Sequence, residues 1–139
     1  MEYGQWTNGI WTINKNFMAR HNFRKLSIWV DGVAFTTEIY NVTKKFPTEE
    51  RFNLISQLNR AAVSVPSNIA EGSAKSSDKH FKIFLENSLG SAYECETQIE
   101  IAKRLPFGKN IDYSTVDFLL SEVMKMLNKM INSSNKLTS

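Results

Sequence analysis

Gln57-Leu-Asn-Arg-Ala-Ala-Val-Ser-Val-Pro-Ser-Asn-Ile-Ala-Glu-Gly72 carries helical spacing on two faces at once. With Ile55, the apolar residues Leu58, Ala62, Val65 and Ile69 step by three and four, which marks one buried helical stripe. Gln57, Ala61, Ser64, Asn68 and Glu71 step the same way along an adjacent face. A helix that buries both stripes must give the polar one partners, because an unpaired buried polar group is costly. The pattern therefore predicts a specified helix–helix seam. Pro66 falls inside it. A mid-helix proline removes one hydrogen bond, which predicts a kink near residues 62–64. Gly72 reads as the C-cap.

Upstream, Phe23, Leu26, Val30, Val33, Thr37 and Tyr40 alternate by three and four and predict a first helix over about 22–45. Trp29, Ile39 and Val42 widen its apolar face. Lys44 and Lys45 suit its negative dipole end, and Phe46-Pro47 breaks it. Thr48 is the expected N-cap of the second helix, over about 49–71, with Glu49 and Glu50 in the first turn. Ser76 or Ser77 caps a third helix that runs to about Arg104. Its core stripe is Phe81, Leu85, Ser88, Ala92, Cys95, Ile99 and Ala102. Beside it, Asn87, Ser91, Glu94 and Gln98 form a polar stripe that matches the one on the second helix. Gly90, next to Ser91, leaves room for another backbone to approach closely. After a turn over 105–110, the fourth helix spans about 114–132 on Val116, Leu120, Val123, Leu127 and Met130.

Four long helices with short turns predict an all-α, antiparallel up-down-up-down four-helix bundle, its second helix kinked at Pro66. The bundle occupies 22–132. Residues 1–21 read as a disordered N-terminal extension: 1–17 show no usable period, and Met18 is a natural start. Residues 133–139 read as a flexible tail.

At 139 residues the chain has the size of one domain with a real core. Hydrophobic content of 42% and a mean hydropathy of -0.32 point to a soluble globular protein. No apolar run approaches the ~20 residues of a membrane span. The single cysteine, Cys95, excludes an intramolecular disulfide, and without a secretory apolar segment the expected compartment is the reducing cytoplasm. The net charge of +3 and pI of about 9.0 permit nucleic-acid contact without demanding it, unless assembly adds the charge over subunits.

The chemistry-bearing residues are few. Di-iron bundles need inward carboxylates and Glu-x-x-His pairs; neither His21 nor His80 follows a glutamate by three, so no metal and no cofactor is expected. Cys95 sits at a core position and reads as an inert buried thiol. There is no glycine-rich phosphate loop and no Gly-x-Ser-x-Gly elbow. The polar stripes are the strongest signal. Gln57, Ser64, Asn68, Glu71, Ser91, Glu94 and Gln98 are expected to form a structural network across the second and third helices, or to bond the backbone freed by Pro66. The sharper alternative is a small enzyme using Glu71 and Glu94. Arg20, Arg24 and Lys25 open the first helix, and Lys75, Lys79 and Lys82 open the third; an up-down bundle puts both sets at one pole, a candidate phosphate-binding surface.

Phe23-Arg-Lys-Leu26 with Trp29, Tyr40, Phe46-Pro47, Glu50, Gln57-Leu-Asn-Arg60, Ser64-Val-Pro-Ser-Asn-Ile-Ala-Glu-Gly72, Phe81, Ser91, Glu94 and Glu96-Thr-Gln98 resemble proteins encoded in intervening sequences of bacterial 23S ribosomal RNA. The resemblance spans about Phe23 to Met130. It implies a bacterial, cytoplasmic, antiparallel four-helix bundle that assembles as a homopentamer. The chain is also similar to the accessory variability determinant of diversity-generating retroelements, whose members are basic pentamers that bind nucleic acid and a reverse transcriptase. The intervening-sequence members carry no established activity. Cys95 stands where the family pattern has a larger apolar residue. The combined expectation is a non-enzymatic oligomer that contacts RNA or DNA through basic surface residues, with a retroelement accessory protein as the alternative.

Overall fold

The computed structural model describes residues 4–7, 10–13 and 22–138, with side chains for 22–133. Four α-helices make up the bulk of it: α1 (Ser27–Thr43), α2 (Ser56–Ser73), α3 (Asp78–Arg104) and α4 (Ser114–Thr138). Each helix packs on its neighbour in the chain, and α4 closes the set against α1, so α1 and α3 occupy opposite corners. No helix among the described residues is long and apolar enough to cross a membrane.

The expected core stripe of the third helix is buried at every position, from Phe81 to Ala102. Leu58, Ala62, Val65 and Ile69 of α2 are buried as expected, and so are Val116, Leu120, Val123 and Leu127 of α4. Ser77 caps α3 by accepting a hydrogen bond from the His80 backbone N–H at 3.2 Å. In the last turn, Tyr113 Oη donates to Gly108 O at 2.9 Å, and a Cβ on Gly108 would lie 2.1 Å from Ala102 O, so only glycine fits there.

Other expectations need correction. The buried face of α1 is Ile28, Gly32, Phe35, Ile39 and Val42, whereas Val30, Val33 and Tyr40 of the expected stripe face outward. This helix is apolar on both sides, so spacing alone does not choose between them. The buried side is the one that faces Pro66 of α2: a Cβ on Gly32 would lie 3.4 Å from Pro66 Cβ, an ordinary packing contact. The helix also starts later than expected. Phe23–Lys25 is a 3-10 turn, and Leu26 is extended before Ser27.

The second helical segment does not begin at an N-cap on Thr48. Thr48–Glu50 is a 3-10 turn and Arg51–Ile55 a π-helical turn, broken at Asn53 with φ -111 and ψ -109. The Glu50 side chain accepts from the Leu54 backbone N–H there, at 3.3 Å. Gly72 is not a C-cap but a buried residue inside α2. A Cβ on it would lie 2.7 Å from Phe84 Cβ and 2.9 Å from Phe81 Cδ1, so its role is close approach of α3. The last helix runs past Asn132 to Thr138, because no glycine or proline follows to end it. At the N-terminal side, Gly4–Thr7 and Ile10–Ile13 pair as a two-stranded antiparallel ladder with Trp6 opposite Trp11, within the span that reads as a disordered extension. The rest of 1–21 lies outside the described residues.

Pro66 leaves the carbonyl of Ala62 without its helical donor. Thr36 of α1 fills the gap: its Oγ1 lies 2.9 Å from Ala62 O and 2.9 Å from Gly32 O, sharing one proton between them. Thr36→Val should therefore cost about 1 kcal/mol by urea unfolding. In a Pro66→Ala background the restored N–H serves Ala62 O, and the same substitution should cost close to nothing. Equal costs in both backgrounds, in a double-mutant cycle, would remove this role for Thr36.

Candidate functional site

The polar stripes of α2 and α3 do meet, but over a shorter length than the sequence suggests. Ser64 Oγ and Ser91 Oγ form a direct hydrogen bond at the centre. Asn68 Nδ2 turns back to donate to Ser64 O at 2.8 Å, and Ser88 Oγ donates to Val65 O at 2.8 Å. By spacing Ser88 belongs to the core stripe; it is fully buried, yet it spends its hydroxyl on the backbone next to Pro66. Below the serine pair, Gln57, Arg60, Ala61, Ser64, Glu94 and Gln98 line a groove of about 350 Å³. Gln98 is 8% exposed, and its Oε1 has no hydrogen-bond partner.

Three expected members are exposed: Gln57 and Glu94 at the groove, and Glu71 away from it. Ser64 pairs with Ser91, Val65 with Ser88, and Gly72 packs on Phe81 and Phe84, so in these contacts higher numbers on α2 go with lower numbers on α3. Glu71 is seven residues from Ser64 one way, and Glu94 three from Ser91 the other way. At 1.5 Å per residue the two carboxylates are roughly 15 Å apart along the axis. At that separation Glu71 and Glu94 do not face one another across a shared site. Among the described residues, no group of three His, Cys, Asp or Glu side chains is placed to hold a metal ion.

Cys95 is fully buried beneath the seam. Desolvation, helped by the nearby Glu94 charge, pushes its thiol from 9.0 up to about 12, so it is a poor nucleophile in the folded chain. A second, larger groove of about 780 Å³ lies between α3 and α4, unforeseen in the sequence. Its charges are of both signs and partly paired, Lys103 Nζ to Asp117 Oδ2 at 2.7 Å and Arg104 Nε to Glu100 Oε2 at 3.7 Å.

The basic residues gather where the chain enters α1 and α3. The Phe23–Lys25 turn, carrying Arg24 and Lys25, packs on α2. Arg24 lies 5.5 Å from the Phe23 ring centroid and 5.8 Å from that of Trp29. Lys75 stands 5.0 Å from the Phe84 ring centroid. Cations seated over rings in this way are held in place and still present charge outward. Lys79 is exposed and Lys82 half-buried on the first turns of α3. Arg20 lies outside the described residues. The rings that seat these cations come from separate elements, which spacing along one helix does not reveal.

A sequence model of the 23S rRNA-intervening sequence protein family matches residues 24–129. The chain belongs to that family. No curated protein matches it. In this member of the 23S rRNA-intervening sequence proteins, the matched span takes in the whole seam, from Gln57 to Gln98, and the basic residues from Arg24 onward.

Two measurements probe the seam. Gln98→Met keeps the length of the side chain and removes the unpaired carboxamide; it should raise unfolding stability by about 1 kcal/mol. A comparable drop would mean that the amide has a donor in solution. For Cys95, the unfolded thiol ionises near 9.0 and the folded one near 12, so unfolding releases a proton between those values. Stability should therefore fall as pH rises through that window. Urea unfolding at pH 8 and pH 10 should show a steeper fall for the natural chain than for Cys95→Ala; identical slopes would contradict it.

Proposed function

We propose that this protein is a non-enzymatic, oligomeric four-helix bundle that contacts nucleic acid through its basic pole. The observation that carries the reading is the packing of the Phe23–Lys25 turn, with Arg24 and Lys25, on α2, the helix whose end leads through Lys75 to Lys79 and Lys82 of α3; Arg24 and Lys75 are seated over aromatic rings. A net charge of +3 per chain is weak for a monomer and becomes substantial when subunits assemble. The resemblance to the intervening-sequence proteins implies a homopentamer in the bacterial cytoplasm, which would place the poles of five chains in a ring. The mechanism is electrostatic: basic side chains neutralise phosphates, release counterions and hold the nucleic acid without base readout.

The same reading takes the helices as antiparallel, up-down-up-down, with α2 bent at Pro66. The opposed counting of partners along α2 and α3 supports the first part. Along α1 and α2 the pairs Gly32–Pro66, Thr36–Ala62 and Thr43–Asn59 run in opposite directions as well. The carbonyl of Ala62, served from α1 instead of from its own helix, supports the second.

Filter binding of RNA and DNA oligonucleotides at two salt concentrations tests the proposal. The intact oligomer should bind at low salt and weaken steeply as salt rises. A Lys75→Gln/Lys79→Gln double variant should lower the log–log salt slope by roughly 0.7–0.9 for each phosphate that is no longer neutralised. No binding at low salt by an intact oligomer would overturn it.

A further inference from the structure

The outer side of α1 is built like an inner one. Val30, Val33 and Tyr40 line a single face directly opposite the buried stripe, and none of the exposed residues between Ser27 and Thr43 is charged. Its two acids, Asp31 and Glu38, are half-buried at the flanks. A helix apolar on both sides is normally covered on both. The opposite corner of the bundle carries a second such stripe. On α3, Ile83, Tyr93 and Ile101 share the outward face, and all six of these side chains are between 38% and 50% exposed.

Gly90 sits in the middle of the α3 stripe. It lies inside a 27-residue helix, where glycine costs about 1 kcal/mol relative to alanine. Nothing among the described residues requires it, because a Cβ at Gly90 would meet no described atom within 4 Å. A missing side chain on an open helical face suits close approach by another backbone. Part of the charge beside the two stripes is also opposed. Glu86 and Glu94 are exposed along the α3 stripe, whereas Lys44 and Lys45 follow the α1 stripe.

We infer that the outer face of α1 in one copy of this chain docks on the Gly90 face of α3 in the next copy, head to tail. This rests on the oligomeric reading above and adds the surfaces that join the subunits. Because α1 and α3 stand at opposite corners, each chain offers one of each surface. Such an interface propagates from subunit to subunit instead of stopping at a two-fold dimer.

Sedimentation velocity on three full-length chains tests this. Val33→Asp blocks the α1 face and Gly90→Leu blocks the α3 face, each at an exposed helical position. Thr37→Asp stands in for Val33→Asp should that chain lose its cooperative melt. The natural chain should sediment as an assembly larger than a dimer. Each variant alone should be a folded monomer by circular dichroism. Mixed in equal amounts, the two variants should form a one-to-one heterodimer, since each keeps the surface that the other lacks. A monomeric natural chain would overturn both this inference and the oligomeric reading. A natural oligomer whose variants still assemble would overturn only the faces assigned here. A dimer formed by either variant alone would overturn the head-to-tail arrangement.

Discussion

The crossing of α1 over Pro66 is the constraint on which the rest of this bundle depends. Proline removes a donor from α2 and leaves the Ala62 carbonyl open. Gly32 of α1 faces the proline ring, and Thr36, one turn later, supplies the missing hydrogen bond. The defect in one helix is thereby satisfied by its neighbour. That pins the rotation of α1, which has apolar residues all round and no other strong reason to show one side to the core.

The other side of α2 is governed by the same local irregularity. Ser88 donates to Val65 O, beside the proline, and the Ser64–Ser91 pair lies one residue further along α2. Serine hydroxyls are short, so each of these bonds requires the helices to be close. Gly72 extends that closeness to the end of the seam, where the rings of Phe81 and Phe84 lie against bare backbone. The second and third helices are thus held by a line of small groups with polar pairs at the centre, and Cys95 lies buried beneath it. A satisfied polar pair inside a seam specifies register more sharply than apolar packing alone.

Much of this is legible in the residues. Helix number, the full core stripe of α3, a cap at Ser76 or Ser77 and the meeting of the two polar stripes follow from spacing and capping chemistry. The rest escapes for identifiable reasons. Spacing picks the wrong face of α1 because Val30, Val33 and Tyr40 are as apolar as Ile28, Phe35 and Ile39, and periodicity is blind to what a helix packs on. Gly72 reads as a cap because glycine near a helix end usually is one, whereas its use here depends on two rings arriving from another helix. Glu71 belongs to the seam by its helical position, but only the central two turns of the stripe come close enough to be covered. The pairing of Gly4–Thr7 with Ile10–Ile13 does have a signal: Asn8-Gly9, between two short apolar stretches, is the residue pair that tight hairpins favour.

Because each helix packs on its sequence neighbours, most of the packing between helices joins elements adjacent in the chain. Chains of this kind have low contact order and fold quickly, since short loops close at little entropic cost. The pairing of α1 with α4 is the exception, joining segments from the two ends of the bundle. The closure entropy of the whole chain falls on that one seam. Its side chains on α4, rather than the polar residues between α2 and α3, are therefore where substitutions should weigh most on the speed of folding.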